Sequence, residues 1–272
     1  MISKIAYAET TVGPISLAFF RLVFAIPILA FVSKMRRAQI SLTRRELALF
    51  AAFGFCSISI FETLYFVSLS YTSVQHAAAL LYTAPAFVAI LSWMILKERL
   101  TQRKMGAVGL SILGAFLILG LLRGEPLFAS RAEIGDWLAL GSGLAYSSWY
   151  IFGKVVGRNR DPAVTSLIAL SFGTIFLLPI VTATEGLRQP QSLLAWQLIA
   201  LIAIVPTVMA YLLYLGGLKL LDATKASVFA IVEPLSAAAF GFLFLQEVLS
   251  YDSLVGFVLI ISSILLISTD NR

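Results

Sequence analysis

The chain has 272 residues, of which 60% are hydrophobic and 12% charged, and a formal net charge of +6; a water-soluble domain carries about 25% charged residues, so water is excluded as its main solvent. The basic residues sit in short clusters between apolar segments and not along one solvated face, which argues against a nucleic-acid partner. Cys56 is the only cysteine and His76 the only histidine, so an intrachain disulfide is excluded, and no metal or other cofactor is expected.

The N-terminal MISKIAYAETTVG lacks the apolar core of a signal peptide and cannot span a bilayer. After it, charge-poor runs predict transmembrane helices at about 14–33, 46–69, 73–96, 105–122, 136–155, 163–183, 193–217, 226–246 and 253–269, each near the roughly 20 residues that a spanning helix needs. Local signals agree: Thr43 and Glu46 form a capping box between Leu42 and Leu47, and Asp161 precedes Pro162 as cap and first helical residue. The runs are continuous and do not alternate, which selects helices over barrel strands. The fold class is an all-α polytopic membrane protein of about nine transmembrane helices.

Lys and Arg in short loops are retained on the cytoplasmic side. One group of loops holds Lys34, Arg36, Arg37, Arg44 and Arg45, then Lys97, Arg99, Arg103 and Lys104, then Lys154, Arg158 and Arg160, then Lys219 and Lys225. The loops between them hold only Arg123, Arg131 and Arg188 against Glu125, Glu133, Asp136, Glu185, Glu247 and Asp252. Every second loop is thus expected to be cytoplasmic, with the C-terminus inside.

Sliding the chain by 149 residues lays Tyr65 on Tyr214, Ala77 on Ala226, Pro85 on Pro234, Glu98 on Glu247 and Leu100 on Leu249. The copies differ where it matters. Lys97, Arg99, Arg103 and Lys104 fall on Gln246, Val248, Asp252 and Ser253, while Ser70 and His76 fall on Lys219 and Lys225. Basic charge has swapped ends, as an inverted-topology repeat requires. The domain reading is a first repeat at 1–122, an external linker at 123–133 and a second repeat at 134–272. The second copy has a helix, Trp137 to Lys154, ahead of Pro162, whereas only thirteen residues precede Pro14. A repeat of five helices is therefore expected here as four plus five: either the true start lies upstream of Met1, the preferred reading, or this is a nine-helix variant.

PISLAFFR with Pro14 and Arg21, TAPAFVAILSWMILKERL with Pro85 and Glu98, the glycine-led MGAVGLSILGAFLIL, and EPLSAAAFGFLFLQE from Glu233 to Glu247 resemble, in their order, spacing and duplication, the EamA-type ten-helix carriers of the drug/metabolite transporter superfamily. The resemblance covers essentially the whole chain apart from the first helix, which in that family would line the central cavity. It implies a two-basket fold, with four helices of each repeat around a substrate cavity and the fifth peripheral, moving small metabolites, amino acids or drugs. Membership does not fix the substrate.

Pro85 and Pro234 fall about ten residues inside their helices, near mid-membrane, and are read as paired gating kinks. Glu98 and Glu247 lie at helix ends ahead of Thr101 and Ser250, which read as N-caps of the next helices, and are read as structural. Arg21, Glu62 and Glu233 interrupt apolar runs, where a central charge costs about 2.5–3.5 kcal/mol. Arg21 and Glu62 reach similar depth, roughly 10 Å below one face, and are expected to pair. Glu233 has no obvious cationic partner and its repeat equivalent is the neutral Ala84, so it is a candidate for binding a proton or a substrate amine; a carboxyl bonded to a neighbouring helix is the alternative. Tyr65, Tyr82, Tyr146, Trp149, Tyr150, Tyr211 and Tyr214 are candidates to stack on a substrate, with packing or an interfacial belt as the other role.

One His, one Cys and scattered carboxylates offer no nucleophile–base pair, so no enzyme is expected. The function expected is a carrier that moves a small polar or amphipathic solute by alternating access, with proton-coupled export as one form of it; a non-transporting scaffold or accessory subunit is the alternative. The setting expected is the inner membrane of a bacterium, with the chain a monomer or homodimer. With Cys56 replaced, single cysteines placed in loops 34–45 and 97–104 are predicted to resist an impermeant thiol reagent applied from outside, and those in loops 123–135 and 247–252 to react. Outside labelling of loop 97–104 would overturn the inverted reading.

Overall fold

The computed structural model describes residues 12–121, 127–128, 132–245 and 250–270. Among these, regular structure is helical throughout. Helix α1 is Pro14–Met35, and Pro14 opens it at a position where a missing N–H costs nothing. Helix α2 is Arg44–Ser68, entered through the Thr43–Glu46 capping box and wound as a π-helix over Phe55–Ile60. Next come α3a (Val74–Leu81) and α3b (Ala84–Leu91), the latter running into a π-helical turn at Ser92–Leu96. Helix α4 (Gln102–Ile118), capped by Thr101, is followed by α5 (Glu133–Gly157). Helix α6 is Pro162–Thr184, where the Asp161 carboxylate accepts the Ala163 N–H. Helix α7 (Leu193–Leu220) contains a second π-helical stretch at Ala203–Met209. The last elements are α8a (Ala223–Ala230), α8b (Val232–Leu245) and α9 (Tyr251–Ser268), capped by Ser250.

Seven of these helical passes, in α1, α2, α3, α6, α7, α8 and α9, are long and apolar enough to cross a membrane. Of the other two, α4 has 17 residues, and α5 carries Glu133, Asp136 and Lys154 around a Gly-, Ser- and Tyr-rich middle. The chain is an integral all-α polytopic membrane protein. The run expected to reach residue 122 ends at 118, because Gly120 takes φ +71 and closes a Schellman motif, Leu121 N–H to Phe116 O and Gly120 N–H to Leu117 O. Glu247, expected to mark the end of the run at 226–246, lies outside the described residues.

The chain divides into two compact units, one of residues 1–66 and 152–220 and one of residues 67–151 and 221–272. In the first, α1 packs along α6. The ends identify the direction. The Glu185 carboxylate, just past α6, accepts the N–H groups of Ile15 (3.0 Å) and Ser16 (2.8 Å), capping α1, while Arg36 beyond the other end of α1 meets Asp161 at 3.5 Å. The two helices are therefore antiparallel. At that second end Arg160 bonds Glu46 (2.5 Å) and the Ser41 carbonyl (2.7 Å), and Lys219 bonds the Arg160 carbonyl. Three basic loops of the sequence thus share one end of this unit.

In the second unit α4 packs along α9. Thr101 reaches Asp270 (3.1 Å) and Arg103 the Thr269 carbonyl (2.9 Å) at one end, and Gly114 faces Gly256 and Ile260 further along, so this pair is antiparallel as well. A Cβ on Gly114 would stand 2.8 Å from the Gly256 carbonyl oxygen, and one on Gly256 2.6 Å from the Gly114 carbonyl, so both glycines are fixed by backbone contact. Gly114→Ala is expected to destabilise the protein by about 1–3 kcal/mol through overpacking, despite alanine's better helix propensity. Gly109→Ala, whose Cβ meets nothing within 4 Å, should be neutral or stabilising by up to about 1 kcal/mol. Thermal unfolding of the purified variants checks the contrast.

Candidate substrate-binding site

The site starts from two interruptions of the backbone in the second unit. Helix α3a stops at Tyr82 and Thr83, and Thr83 Oγ1 donates to the Leu80 carbonyl (2.6 Å) before α3b resumes at Ala84. Helix α8a stops at Ile231, whose N–H reaches the Val228 carbonyl (3.2 Å), before α8b resumes at Val232. The offset that superposes the sequence copies lays Tyr82 on Ile231, so the two breaks correspond. Each interruption lies two or three residues ahead of a proline, Pro85 or Pro234, within the spans Val74–Leu96 and Ala223–Phe240, and each proline falls in the first turn of the segment that follows. The physical reason is that a proline removes the N–H that would bond the carbonyl four residues back and its ring collides with that carbonyl, which kinks or breaks the helix just ahead of it.

The breaks border one cavity of about 20 Å³, enough for roughly one water. From α3 it is bordered by Leu81, Tyr82, Ala84 and Pro85, and from α8 by Ser227, Ala230, Ile231 and Glu233. Helix α5 adds Tyr146 and Tyr150, which meet edge to face at 5.7 Å and 88°. Glu233 carries an exposed side chain, and among the described residues no Lys, Arg or His forms an ion pair with it. Of the aromatic candidates in this unit Tyr82, Tyr146 and Tyr150 border the cavity and Trp149 does not. Pro234 is buried behind the wall. Ser227 was not singled out from the sequence; Tyr146 and Tyr150 were among the aromatic candidates, and their spacing puts them one helical turn apart on a single face.

One end of the unit is tied by polar contacts. Glu98 accepts the N–H groups of Ala223 (2.7 Å) and Thr224 (3.4 Å), so the carboxylate expected to be structural caps α8a. The buried Lys104 bonds Asp222 (2.8 Å) and the Arg99 carbonyl (3.1 Å), and Ser92 and Thr224 share a hydroxyl contact at 2.9 Å. Residue 98 lies by 223 and residue 92 by 224, and 82 shares a cavity with 231, so α3 and α8 also run antiparallel. Away from this end, the fully buried Asp136 accepts from Thr72 Oγ1 (2.6 Å) and the Phe128 N–H (2.7 Å), with His76 Nδ1 at 3.4 Å.

The first unit holds the other charged candidates. Arg21 Nη2 donates to Glu62 Oε1, and Arg21 Nη1 lies 3.5 Å from Thr207 Oγ1. The depth argument for that pair therefore meets a direct ion pair, whose side chains are 20% and 4% exposed. Thr207 sits in the second π-helical stretch and donates to Ile202 O at 3.0 Å, so the wider turn places its hydroxyl oxygen toward the guanidinium. Tyr65 stacks on Phe61 at 6.0 Å, and Tyr211 and Tyr214 lie on α7 of the same unit. The structure thus gathers Glu233, Tyr82 and Pro85 in one unit and Arg21, Glu62, Tyr65, Tyr211 and Tyr214 in the other.

A sequence model of the EamA-like transporter family matches residues 1–120 and again residues 133–269. The chain belongs to the EamA-like transporter family. It is therefore a membrane transporter, and its relatives include an uncharacterized transporter of Archaeoglobus fulgidus, 27% identical over 93% of this chain and 87% of the relative. The uncharacterized transporter YyaM of Bacillus subtilis is 25% identical over 95% and 86%, and the uncharacterized inner membrane transporter YicL of Salmonella typhimurium 27% identical over 94% and 85%. A crystal structure matches with a TM-score of 0.82 over 98% of this chain and 91% of its own, at 17% identity, which shows a shared fold.

In this EamA-family chain the Arg21–Glu62 pair gives a direct energetic test. Removing one partner of a buried ion pair leaves an uncompensated charge and costs about 3–5 kcal/mol, whereas removing both costs much less. Arg21→Met and Glu62→Gln should each lower stability by that order, with the double variant losing far less than the sum of the two losses. A double-mutant cycle read by thermal or denaturant unfolding checks this; additive losses would contradict the pairing.

Proposed function

We propose that the chain is a carrier that moves a small polar or amphipathic metabolite by alternating access, exporting it in exchange for protons, and that the cavity of the second unit lies on the solute path. The single observation that carries this reading is the pair of corresponding helix breaks facing one cavity with a lone carboxylate. Interrupted backbone at membrane depth is tolerated only where protein or a polar cavity surrounds it, and carriers bind their solutes at such interruptions. The antiparallel packing of α1 with α6, α3 with α8 and α4 with α9 supports two inverted repeats, at 1–122 and 134–272, because each pair joins an element of one half to its counterpart in the other. The clustering of basic loops at one end of the first unit supports a cytoplasmic face there and a cytoplasmic C-terminus, in the inner membrane of a bacterium.

In this reading Glu233 takes up a proton when the solute leaves and releases it when the solute binds. Ser227 and the three tyrosines supply hydrogen bonds and ring faces to the solute, and Pro85 and Pro234 keep the two breaks from closing into continuous helix. Arg21 and Glu62 hold the first unit together in every state. Counterflow of a metabolite panel in liposomes is expected to identify an exchanged solute. Glu233→Gln should then lower its exchange at least tenfold and flatten its pH dependence. Unchanged affinity, rate and pH profile in Glu233→Gln would remove the carboxylate from the mechanism, and no exchange of any solute would favour the scaffold.

A further inference from the structure

We infer that the end of the first unit where α1, α2 and α6 meet is a docking surface for an anionic phospholipid. Helices α1 and α6 have 22 and 23 residues, about 33 Å of helix at roughly 1.5 Å per residue against a hydrocarbon core of about 30 Å. Their ends therefore stand at headgroup level. The surface depends only on the chain's spanning a membrane, and not on what the chain carries.

This end holds more positive charge than the fold neutralises. Arg36 meets Asp161, Arg160 meets Glu46, and Lys219 bonds the Arg160 carbonyl, so both carboxylates of the surrounding loops are already matched. Lys34, Arg37, Arg44, Arg45 and Arg158 remain, all exposed, and among the described residues none of these five forms an ion pair. In the second unit most of the loop cations are engaged within the protein: Lys104 with Asp222, Lys225 with the Asp270 carbonyl and Arg103 with the Thr269 carbonyl, which leaves Lys97 and Arg99. Retention of Lys and Arg in cytoplasmic loops accounts for basic loops in both units. It does not account for one unit matching most of them internally while the other leaves five side chains open at a membrane surface.

The backbone gives an independent sign. Arg37, at φ +49, is the left-handed residue that closes α1 in a Schellman motif, Ala38 N–H to Ser33 O (3.1 Å) and Arg37 N–H to Lys34 O (3.0 Å). Glycine fills such a position at no steric cost, so an arginine there gives up local stability to place a charge.

Charge alone would accept any anion; the apolar neighbours select a lipid. On α1, Val23, Pro27, Phe31 and Met35 form an exposed stripe at four-residue spacing, which ends beside Lys34 and Arg37. On α2 the exposed Leu47 lies one turn past Arg44. Acyl chains lie along such stripes while guanidinium groups at their ends donate in pairs to phosphate oxygens. A free phosphate makes no use of the apolar faces, and a zwitterionic lipid leaves the open charges unbalanced.

Thermal unfolding of the purified full chain in a neutral detergent, titrated with dioleoylphosphatidylglycerol at constant ionic strength, tests the surface. This lipid should raise Tm saturably, while dioleoylphosphatidylcholine and inorganic phosphate should not. One basic residue near a membrane surface contributes about fivefold to anionic-lipid affinity, so Arg44→Gln together with Arg45→Gln should weaken phosphatidylglycerol at least tenfold. Arg37→Gly should weaken it about fivefold while leaving the lipid-free Tm equal or higher, and this variant serves if the double one does not fold. Lys97, at φ +59, ends α3 in the same left-handed conformation, so Lys97→Gly removes one charge from the same geometry in the second unit and should change the affinity less than about twofold. Equal shifts with phosphatidylcholine or inorganic phosphate, undiminished phosphatidylglycerol binding in the Arg37 and Arg44/Arg45 variants, or an equal loss in Lys97→Gly would overturn the docking surface.

Discussion

A backbone inside hydrocarbon has no water to bond, so each N–H and C=O must be paired within the protein, and the rest of this structure follows from where that pairing is interrupted. Continuous helix satisfies it along most of the chain. Several interruptions carry a group that pairs the backbone there: Thr83 at the break in α3, Glu98 on the first N–H groups of α8a, Glu185 on those of α1, and the Schellman turn around Gly120. The π-helical stretches in α2 and α7 are a milder form of the same event. They correspond under the repeat offset, Phe55 on Ile204 and Ile60 on Met209, and Pro206 lies in the second.

Charge obeys the same constraint. Inside an apolar span Arg21 is matched by Glu62, and at the start of α4 the buried Lys104 is matched by Asp222 and a backbone carbonyl. Such pairs rarely add net stability, but losing one partner is costly, so they fix which helices stay together. Glu233 departs from this pattern because it has a cavity and tyrosines beside it in place of a cation. Among the described residues no cation pairs with this carboxylate, which separates the second repeat from the first at this position, where Ala84 suffices to continue the helix past the break.

The two halves meet helix against corresponding helix, and each meeting is antiparallel. Close approach of α4 and α9 needs Gly114 and Gly256 facing each other's carbonyls, which small residues alone permit. At the breaks in α3 and α8 the same correspondence brings Leu81 to the cavity that Ala230 borders. A duplicated sequence feature, two prolines 149 residues apart, thereby becomes a single local feature in space.

The sequence by itself determined the helical passes to within a few residues, their caps at Thr43, Thr101, Asp161 and Ser250, and the alternation of basic and acidic loops. These are properties of composition and of contacts three or four residues apart, which survive without knowledge of the fold. It also implied the Arg21–Glu62 contact, because depth along a spanning helix can be counted at a fixed rise per residue. Rotation about the helix axis cannot be counted that way. Only the tertiary structure decided that Tyr146 and Tyr150, and not Trp149, border the cavity with Glu233, and that Glu98 caps α8a. It alone divided the helices into units that interleave the two halves of the chain. Each of these depends on which face of one helix meets which face of another, a choice made by side-chain packing between segments distant in sequence.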